Sequence, residues 1–202
     1  MGSLKIIAAF FLGLLCALVF PFFQKLPADA LSALALYLLL FLVGMGIGGR
    51  RETLDMLRRI RLPIVLVPLA IALGSILASG LTAAWLLPGL SFREGAAVGA
   101  GFGYYSLSSI LITRISGEAL GLIALLSNIF REIFALTATP FLVRWCGRLS
   151  GIAAGGATAM DTTLPVIVRF TGREYALIAV FSGLVLTLLT PVLVTALLSS
   201  GA

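Results

Sequence analysis

Apolar runs separated by short polar turns make up most of the chain. Most of these runs approach the roughly 20 residues that a membrane-spanning helix needs, and no segment is long enough for a separate soluble domain. The pattern predicts an all-α polytopic membrane protein with about seven hydrophobic segments in a single transmembrane domain over residues 1–202. The segments are about 4–23, 29–48, 63–87, 95–115, 118–142, 151–168 and 175–198.

Segments four and six depart from this ordinary apolar pattern, and we expect broken or re-entrant helices in both. Glycine frees backbone groups, so the run Gly95, Gly99, Gly101 and Gly103 predicts a helix break at about Gly101–Gly103. In segment six, the ring of Pro165 clashes with the carbonyl of Asp161, which predicts a break beside that acid. A glycine-rich packing face, with serines bonded back to the helix, is the alternative for segment four.

Two acidic residues, Glu132 and Asp161, lie inside apolar runs. An ionisable group at membrane depth costs about 2.5–3.5 kcal/mol on insertion scales, so it usually faces a cavity and has a function. Asn128, Arg131 and Glu132 share one face of a helix through their i,i+3 and i,i+4 spacings. Interhelical hydrogen bonding by Asn128 and a buried Arg131–Glu132 ion pair are the structural alternatives.

Composition supports the membrane assignment and limits the other functions. Residues are 60% hydrophobic and only 11% charged, whereas soluble proteins carry about 25% charged residues. The net charge of +6 does not indicate nucleic-acid binding, because Lys and Arg stand mostly at the ends of apolar runs. Cys16 and Cys146 are isolated and histidine is absent, so we expect no metal and no cofactor, and any proton relay must use carboxylates, tyrosine or water.

The distribution of arginine predicts the orientation in the membrane. The stretch Arg50–Arg61 holds five Arg and one apolar stripe, so we expect a short interfacial helix on the cytoplasmic side. We predict a cytoplasmic N-terminus, a first transmembrane helix rather than a cleaved signal peptide, and an external C-terminus. If all seven segments cross the membrane, Arg144 and Arg148 lie outside, which fits the positive-inside rule poorly. A re-entrant segment six is one way to remove this conflict.

Polar residues in segments four to six form the candidate site, whereas segments one, three and seven carry essentially none. Broken helices near the midplane are typical of secondary transporters. A buried carboxylate that binds either a proton or a cation is the minimum for antiport, and half-helix ends can bind a substrate carboxylate. The candidate site residues are Asp161, Glu132, Asn128, Arg131, Tyr104, Tyr105, Ser106, Ser108, Thr158 and Thr162.

Three blocks of the chain resemble the lysine exporter LysO family. They are Gly101–Thr113, the set Asn128, Arg131 and Glu132, and Gly156–Val166. The resemblance extends over about residues 4–200 and implies export of L-lysine, driven by proton influx, from the cytoplasm across a bacterial or archaeal inner membrane. It also implies that Glu132 and Asp161 are the acidic positions, with Asn128 and Arg131 beside them.

Full-length members of that family are around a hundred residues longer than this chain. We expect either a separate small membrane protein or homo-oligomerisation to replace the additional segments. The expected partners are L-lysine, protons and membrane lipid, with no nucleic acid. The sequence does not distinguish lysine from ornithine or arginine.

Two other functions are open to a chain of this kind. An intramembrane aspartyl protease needs two catalytic aspartates in membrane segments, and Asp161 alone qualifies, so we expect no enzyme. A subunit or scaffold of a split transporter, inactive alone, is the second alternative. Buried charges are costly and serve no purpose in a scaffold, which favours a transporter.

Overall fold

A computed structural model describes residues 62–199 and four isolated helical positions before them, Leu34, Leu38, Phe41 and Met45. The chain divides into two compact units, Met1–Met45 and Gly46–Ala202, and all of the helices with described bounds lie in the second unit. Segment one and the predicted interfacial helix at Arg50–Arg61 lie outside the described residues, and so does segment two apart from those four positions.

The described part is entirely helical and contains no strand, which confirms the all-α fold class. Two short 3₁₀ helices, Gly156–Met160 and Arg173–Tyr175, accompany the α-helices. The α-helices are α1 Leu62–Leu86, α2 Phe92–Gly99, α3 Tyr105–Ser116, α4 Glu118–Cys146, α5 Leu149–Gly155, α6 Leu164–Thr171 and α7 Ala176–Ser199.

Three stretches are long and apolar enough to cross a membrane within residues 62–199: Ile64–Leu86, Glu118–Cys146 and Arg173–Ser199. They correspond to predicted segments three, five and seven. Trp85 is 84% exposed near the end of α1, and Trp145 is 81% exposed near the end of α4. Exposed tryptophans at helix ends are typical of the interface between lipid and water, which agrees with the length and apolar composition of both helices.

Predicted segment six is a re-entrant hairpin formed by α5 and α6. Its two ends lie together, because Arg148, just before α5, forms a 3.2 Å salt bridge with Glu174, just after α6. The two helices run antiparallel, since a Cβ atom on Gly151 would lie 3.8 Å from Ile167, and one on Gly155 would lie 2.6 Å from the Thr163 hydroxyl. The segment therefore turns back on itself, which is the geometry of a re-entrant hairpin.

Predicted segment four is also a re-entrant hairpin, formed by α2 and α3. Helix α2 returns along α1, with Gly95 against Ala83 and Gly99 against Ser79. Helix α3 precedes α4 and packs antiparallel to it, with Gly121 closely against Thr113.

The orientation of α1 relative to α4 places both ends of this hairpin on one side of the membrane. Arg131 of α4 hydrogen-bonds Ser75 of α1. Ala83 lies about two turns after Ser75 in α1, and Ile123 lies about two turns before Arg131 in α4. Both residues line the same cavity. The two spans are therefore antiparallel, and α2 begins on the side where α3 ends.

A capping box fixes the start of α2. The Ser91 hydroxyl accepts from the Glu94 N–H, and the Glu94 carboxylate accepts from the Ser91 N–H at 2.7 Å. The carboxylate also accepts from the Ser91 hydroxyl at 2.7 Å. The hydrogen bonds from the Ser91 N–H and hydroxyl to the charged carboxylate lower the pKa of Glu94.

The two hairpins enter the membrane from opposite sides, because α4 crosses it between them. Their tips are Ala100–Tyr104 in the first hairpin and 156–163 in the second, and we name them the first tip and the second tip. Both helix breaks predicted from glycine and proline are present, at the expected positions.

Candidate functional site

The two hairpin tips contact each other beside the middle of α4. The Ala157 N–H donates to the Phe102 carbonyl oxygen at 2.8 Å. Gly156 has φ +61, and a Cβ atom there would collide with the same carbonyl oxygen. Glycine is therefore required at this position, because an L side chain fits neither the backbone conformation nor the space.

Asn128 of α4 holds the first tip in place. Its side chain is 3% exposed, and its Oδ1 accepts from the Gly103 N–H at 2.7 Å. The Nδ2 group donates to the carbonyl oxygens of Val98 at 3.2 Å and Ala124 at 2.9 Å. Asn128 thus satisfies the Gly103 N–H, a backbone group that the helix break leaves without a helical partner.

Arg131 of α4 holds the end of α5. Its Nη2 donates to the Ala153 carbonyl oxygen at 2.9 Å and its Nε to the Ala154 carbonyl oxygen at 3.1 Å. The carboxyl end of a helix carries a partial negative charge of about half an elementary charge. The guanidinium therefore offsets the partial negative charge at the end of α5.

The same guanidinium reaches a third element. Its Nη1 donates to the Ser75 hydroxyl of α1 at 2.9 Å. Ser75 lies in predicted segment three, where we expected essentially no polar contribution, so that expectation was wrong. The sequence signal was the pair Ser75 and Ser79, one turn apart on an otherwise apolar helix.

A cavity of about 730 Å³ lies between α1, α2, α4 and the end of α5. It extends along α1 from Ala70 to Leu87. Its size falls within the range of about 300–1,000 Å³ typical of small-molecule sites. Most of its lining is apolar, and its polar side chains are Ser75, Ser79, Thr82, Ser127, Asn128 and Arg131.

Asp161 lies at the second tip, outside this cavity, and its side chain is exposed. Its Oδ1 accepts from the backbone N–H of Thr162 at 2.5 Å and from the Thr162 hydroxyl at 3.3 Å. Among the described residues no arginine or lysine pairs with it. The Oδ1 atom of the carboxylate is thus hydrogen-bonded to Thr162, and the side chain remains exposed.

Tyr104 is the residue of the first tip that lies within electrostatic range of this acid. Its phenol lies beside the Ser106 side chain and within electrostatic range of Asp161. The structure therefore places Tyr104 beside Ser106 and within electrostatic range of Asp161, and it places Thr162 against Asp161.

Two predicted hydroxyls are bonded to nearby backbone groups. Ser108 donates to the Tyr104 carbonyl oxygen at 2.9 Å, and Thr158 donates to the Gly155 carbonyl oxygen at 2.9 Å. Both side chains are buried. For Ser108 this is the alternative in which the serine bonds back to its own helix. Tyr105 begins α3 and is exposed.

Glu132 is half-buried in the middle of α4, beside Arg131, and does not line the cavity. No ion pair joins the two side chains in the described part of the chain, where the salt bridge is Arg148–Glu174. Arg131 bonds backbone carbonyls instead, because adjacent residues point to different faces of a helix.

Comparison with known proteins gives matches along nearly the whole chain. The family model described as "Lysine exporter LysO" matches residues 7–198. The protein named "Lysine exporter LysO" from Escherichia coli K12 is 34% identical over 192 residues, which cover 95% of this chain and 62% of that protein.

A Haemophilus influenzae protein named "Putative lysine exporter" is 39% identical over 119 residues, which cover 59% of this chain and 60% of that protein. The matches thus span about three fifths of the length of each relative. No solved structure matches the chain. The match of the family model over residues 7–198, together with the identity to the E. coli protein, shows that the chain belongs to the lysine exporter LysO family.

Proposed function

We propose that the chain exports L-lysine, or a closely related cationic amino acid, from the cytoplasm by proton antiport. Family membership supports amino-acid export as the class of activity. The matched part covers only about three fifths of the relatives, so the activity of the whole relatives is carried to this chain as a proposal.

The observation that carries the proposal is the open carboxylate of Asp161 at the contact between the two hairpin tips. This exposed carboxylate has no cationic partner among the described residues, so it can accept either a proton or a cation. An unpaired charge at membrane depth is costly, which favours such a partner. A lysine ammonium and a proton are therefore alternative partners for the same group. Release of one to each side of the membrane couples proton influx to lysine efflux.

Glu132 provides the second carboxylate of the proposed mechanism. It lies at the middle of α4, which runs from Glu118 to Cys146. From the rise of an α-helix, this position is about 20 Å from either end of the span, which is close to the middle of the bilayer. We assign Glu132 a role in holding a proton or an ammonium group at this depth, and Tyr104 a role beside Asp161.

The two opposed hairpins also support an orientation. The side where α4 ends carries Arg144, Arg148, Arg169 and Arg173 and is continuous with the arginine-rich stretch that precedes α1. On the other side, Arg93 and Arg114 are accompanied by Glu94 and Glu118. By the positive-inside rule the first of these sides is cytoplasmic and the C-terminus is external. Arg144 and Arg148 then fit, which they did not when seven crossings were assumed.

Transport of labelled lysine into proteoliposomes, with and without a pH gradient, tests the proposal. We expect Asp161→Asn and Glu132→Gln each to abolish gradient-driven transport. Glu118→Gln is the matched control, because it removes an exposed carboxylate at the start of the same helix. Transport that both variants retain at the level of the wild-type chain would refute the assignment of the carboxylates.

The second candidate function is a subunit of a split transporter. The observation that favours it is that the relatives match over only about three fifths of their length. Reconstitution of the purified chain alone distinguishes the two, since an independent exporter transports lysine without a second membrane protein and a subunit does not.

A further inference from the structure

We propose that Arg131 and Ser75 form a subsite for the carboxylate of the exported amino acid, inside the cavity between α1 and α4. The inference rests on the proposed function and names a part of the ligand that the acids cannot bind. The two carboxylates Glu132 and Asp161 attract ammonium groups and repel a carboxylate. A zwitterionic substrate needs a second, positively charged contact.

The Arg131 guanidinium keeps donors for such a contact. An arginine has five N–H groups, and bonds to Ala153, Ala154 and Ser75 use three of them. The Ser75 hydroxyl accepts from Arg131 and retains its own hydrogen for another acceptor. Asn128 does not compete for the ligand, because both of its Nδ2 hydrogens are already bonded to backbone carbonyl oxygens.

The charge balance of the cavity points to an anionic group. No Asp or Glu is among its lining residues in the described part of the chain. Arg131 is therefore a cation whose contacts there are backbone carbonyls and one hydroxyl. A membrane-embedded charge is stabilised by an opposite charge, and arginine binds planar carboxylates through paired N–H donors.

The depth of Arg131 distinguishes a substrate from a lipid headgroup. Arg131 precedes Glu132 in the middle of α4, so it too lies about 20 Å from either end of the helix. Lipid phosphates lie at the membrane surface. The ligand that can reach this depth is a small molecule that enters the cavity, and its carboxylate meets Arg131 and Ser75.

Isothermal titration of the purified full chain with L-lysine and with cadaverine tests the subsite. Cadaverine is lysine without its carboxylate. We expect Arg131→Gln to weaken lysine binding by about tenfold or more and to change cadaverine binding by less than about twofold. Ser75→Ala is the milder variant, which leaves Arg131 bonded to α5, and we expect it to weaken lysine binding by about threefold or more.

Thr82→Ala is the matched control. Thr82 lines the same cavity on the same helix, but its hydroxyl is bonded to the Ala78 carbonyl oxygen at 2.8 Å. Equal losses for lysine and cadaverine in Arg131→Gln and Ser75→Ala would refute the subsite while leaving the proposed function intact. Unchanged lysine binding in both variants would refute it as well. A wild-type chain that binds neither compound would refute the proposed function and the subsite with it.

Discussion

The contact between the hairpin tips predicts that Gly156→Ala is severely destabilising. Gly156 has φ +61 and ψ −123, a conformation that alanine adopts only under strain. The added Cβ atom would also meet the Phe102 carbonyl oxygen and approach the Arg131 guanidinium, whose Nη2 would lie 3.0 Å away. The substitution therefore strains the second tip and separates it from the first.

The two effects can be given magnitudes. Backbone strain of this kind costs about 1–3 kcal/mol. Separation of the tips breaks the hydrogen bond from the Ala157 N–H to the Phe102 carbonyl oxygen, and a buried group left unpaired costs about 1–3 kcal/mol. We expect a total loss of about 2–6 kcal/mol, a large fraction of the roughly 5–15 kcal/mol that stabilises a typical domain.

Thermal unfolding of the purified chain in detergent measures this loss, and two other glycines separate its causes. Gly147 has φ +87 and open space around it, so Gly147→Ala adds strain without a collision. Gly74 lies within α1, has no positive φ and also has open space, so Gly74→Ala adds neither. We expect melting temperatures to fall in the order Gly74→Ala, Gly147→Ala, Gly156→Ala.

The melting temperatures of these variants distinguish the collision with the first tip from the backbone strain at Gly156. If Gly156→Ala melts at the same temperature as Gly147→Ala, contact with the first tip contributes nothing and the packing argument is wrong. If it melts with Gly74→Ala, the strain argument is wrong too. Lysine transport by Gly156→Ala is expected to be lost, because the tips no longer hold Tyr104 near Asp161.

Two further predictions concern the fold and its orientation. Asn128→Ala leaves the Gly103 N–H and the Val98 carbonyl without their side-chain partner. We expect a loss of stability of about 2 kcal/mol or more in thermal unfolding, and unchanged stability would contradict the role of Asn128 at the first tip. Cys146 is exposed at the end of α4, which the proposed orientation places on the cytoplasmic side. In a Cys16→Ser variant, we expect an impermeant maleimide to label Cys146 only after the cytoplasmic face is made accessible. Labelling of Cys146 in intact cells would show that the orientation is the reverse.

The positions of the helix breaks could be predicted from the sequence because they depend on local chemistry. Glycine and proline change the backbone at the residue where they stand or one turn away. The glycines before Tyr104 and the proline after Asp161 therefore marked both breaks without any knowledge of packing. The three candidate spans at segments three, five and seven could be predicted for the same reason, since the length of an apolar run defines them.

The partners of the polar residues could not be predicted in the same way. Asn128, Arg131 and Glu132 share a helix face by spacing, which suggested one common site. In the structure Asn128 forms a hydrogen bond with the first tip, and Arg131 forms hydrogen bonds with α5 and α1. Glu132 takes part in none of these hydrogen bonds. Each partner lies far away in the chain, so only the packing of α1, α2 and α5 around α4 assigns it.

The sequence by itself determined that this protein is an all-helical membrane protein with two interrupted segments and with two acids inside apolar runs, because hydropathy, glycine and proline act over a few residues. The tertiary structure decided that both interrupted segments turn back as hairpins from opposite sides. It also decided that Ser75 joins Arg131 in a cavity and that Asp161 lies outside it. Those facts depend on which helices pack side by side, and contacts between distant residues are not encoded in local spacing.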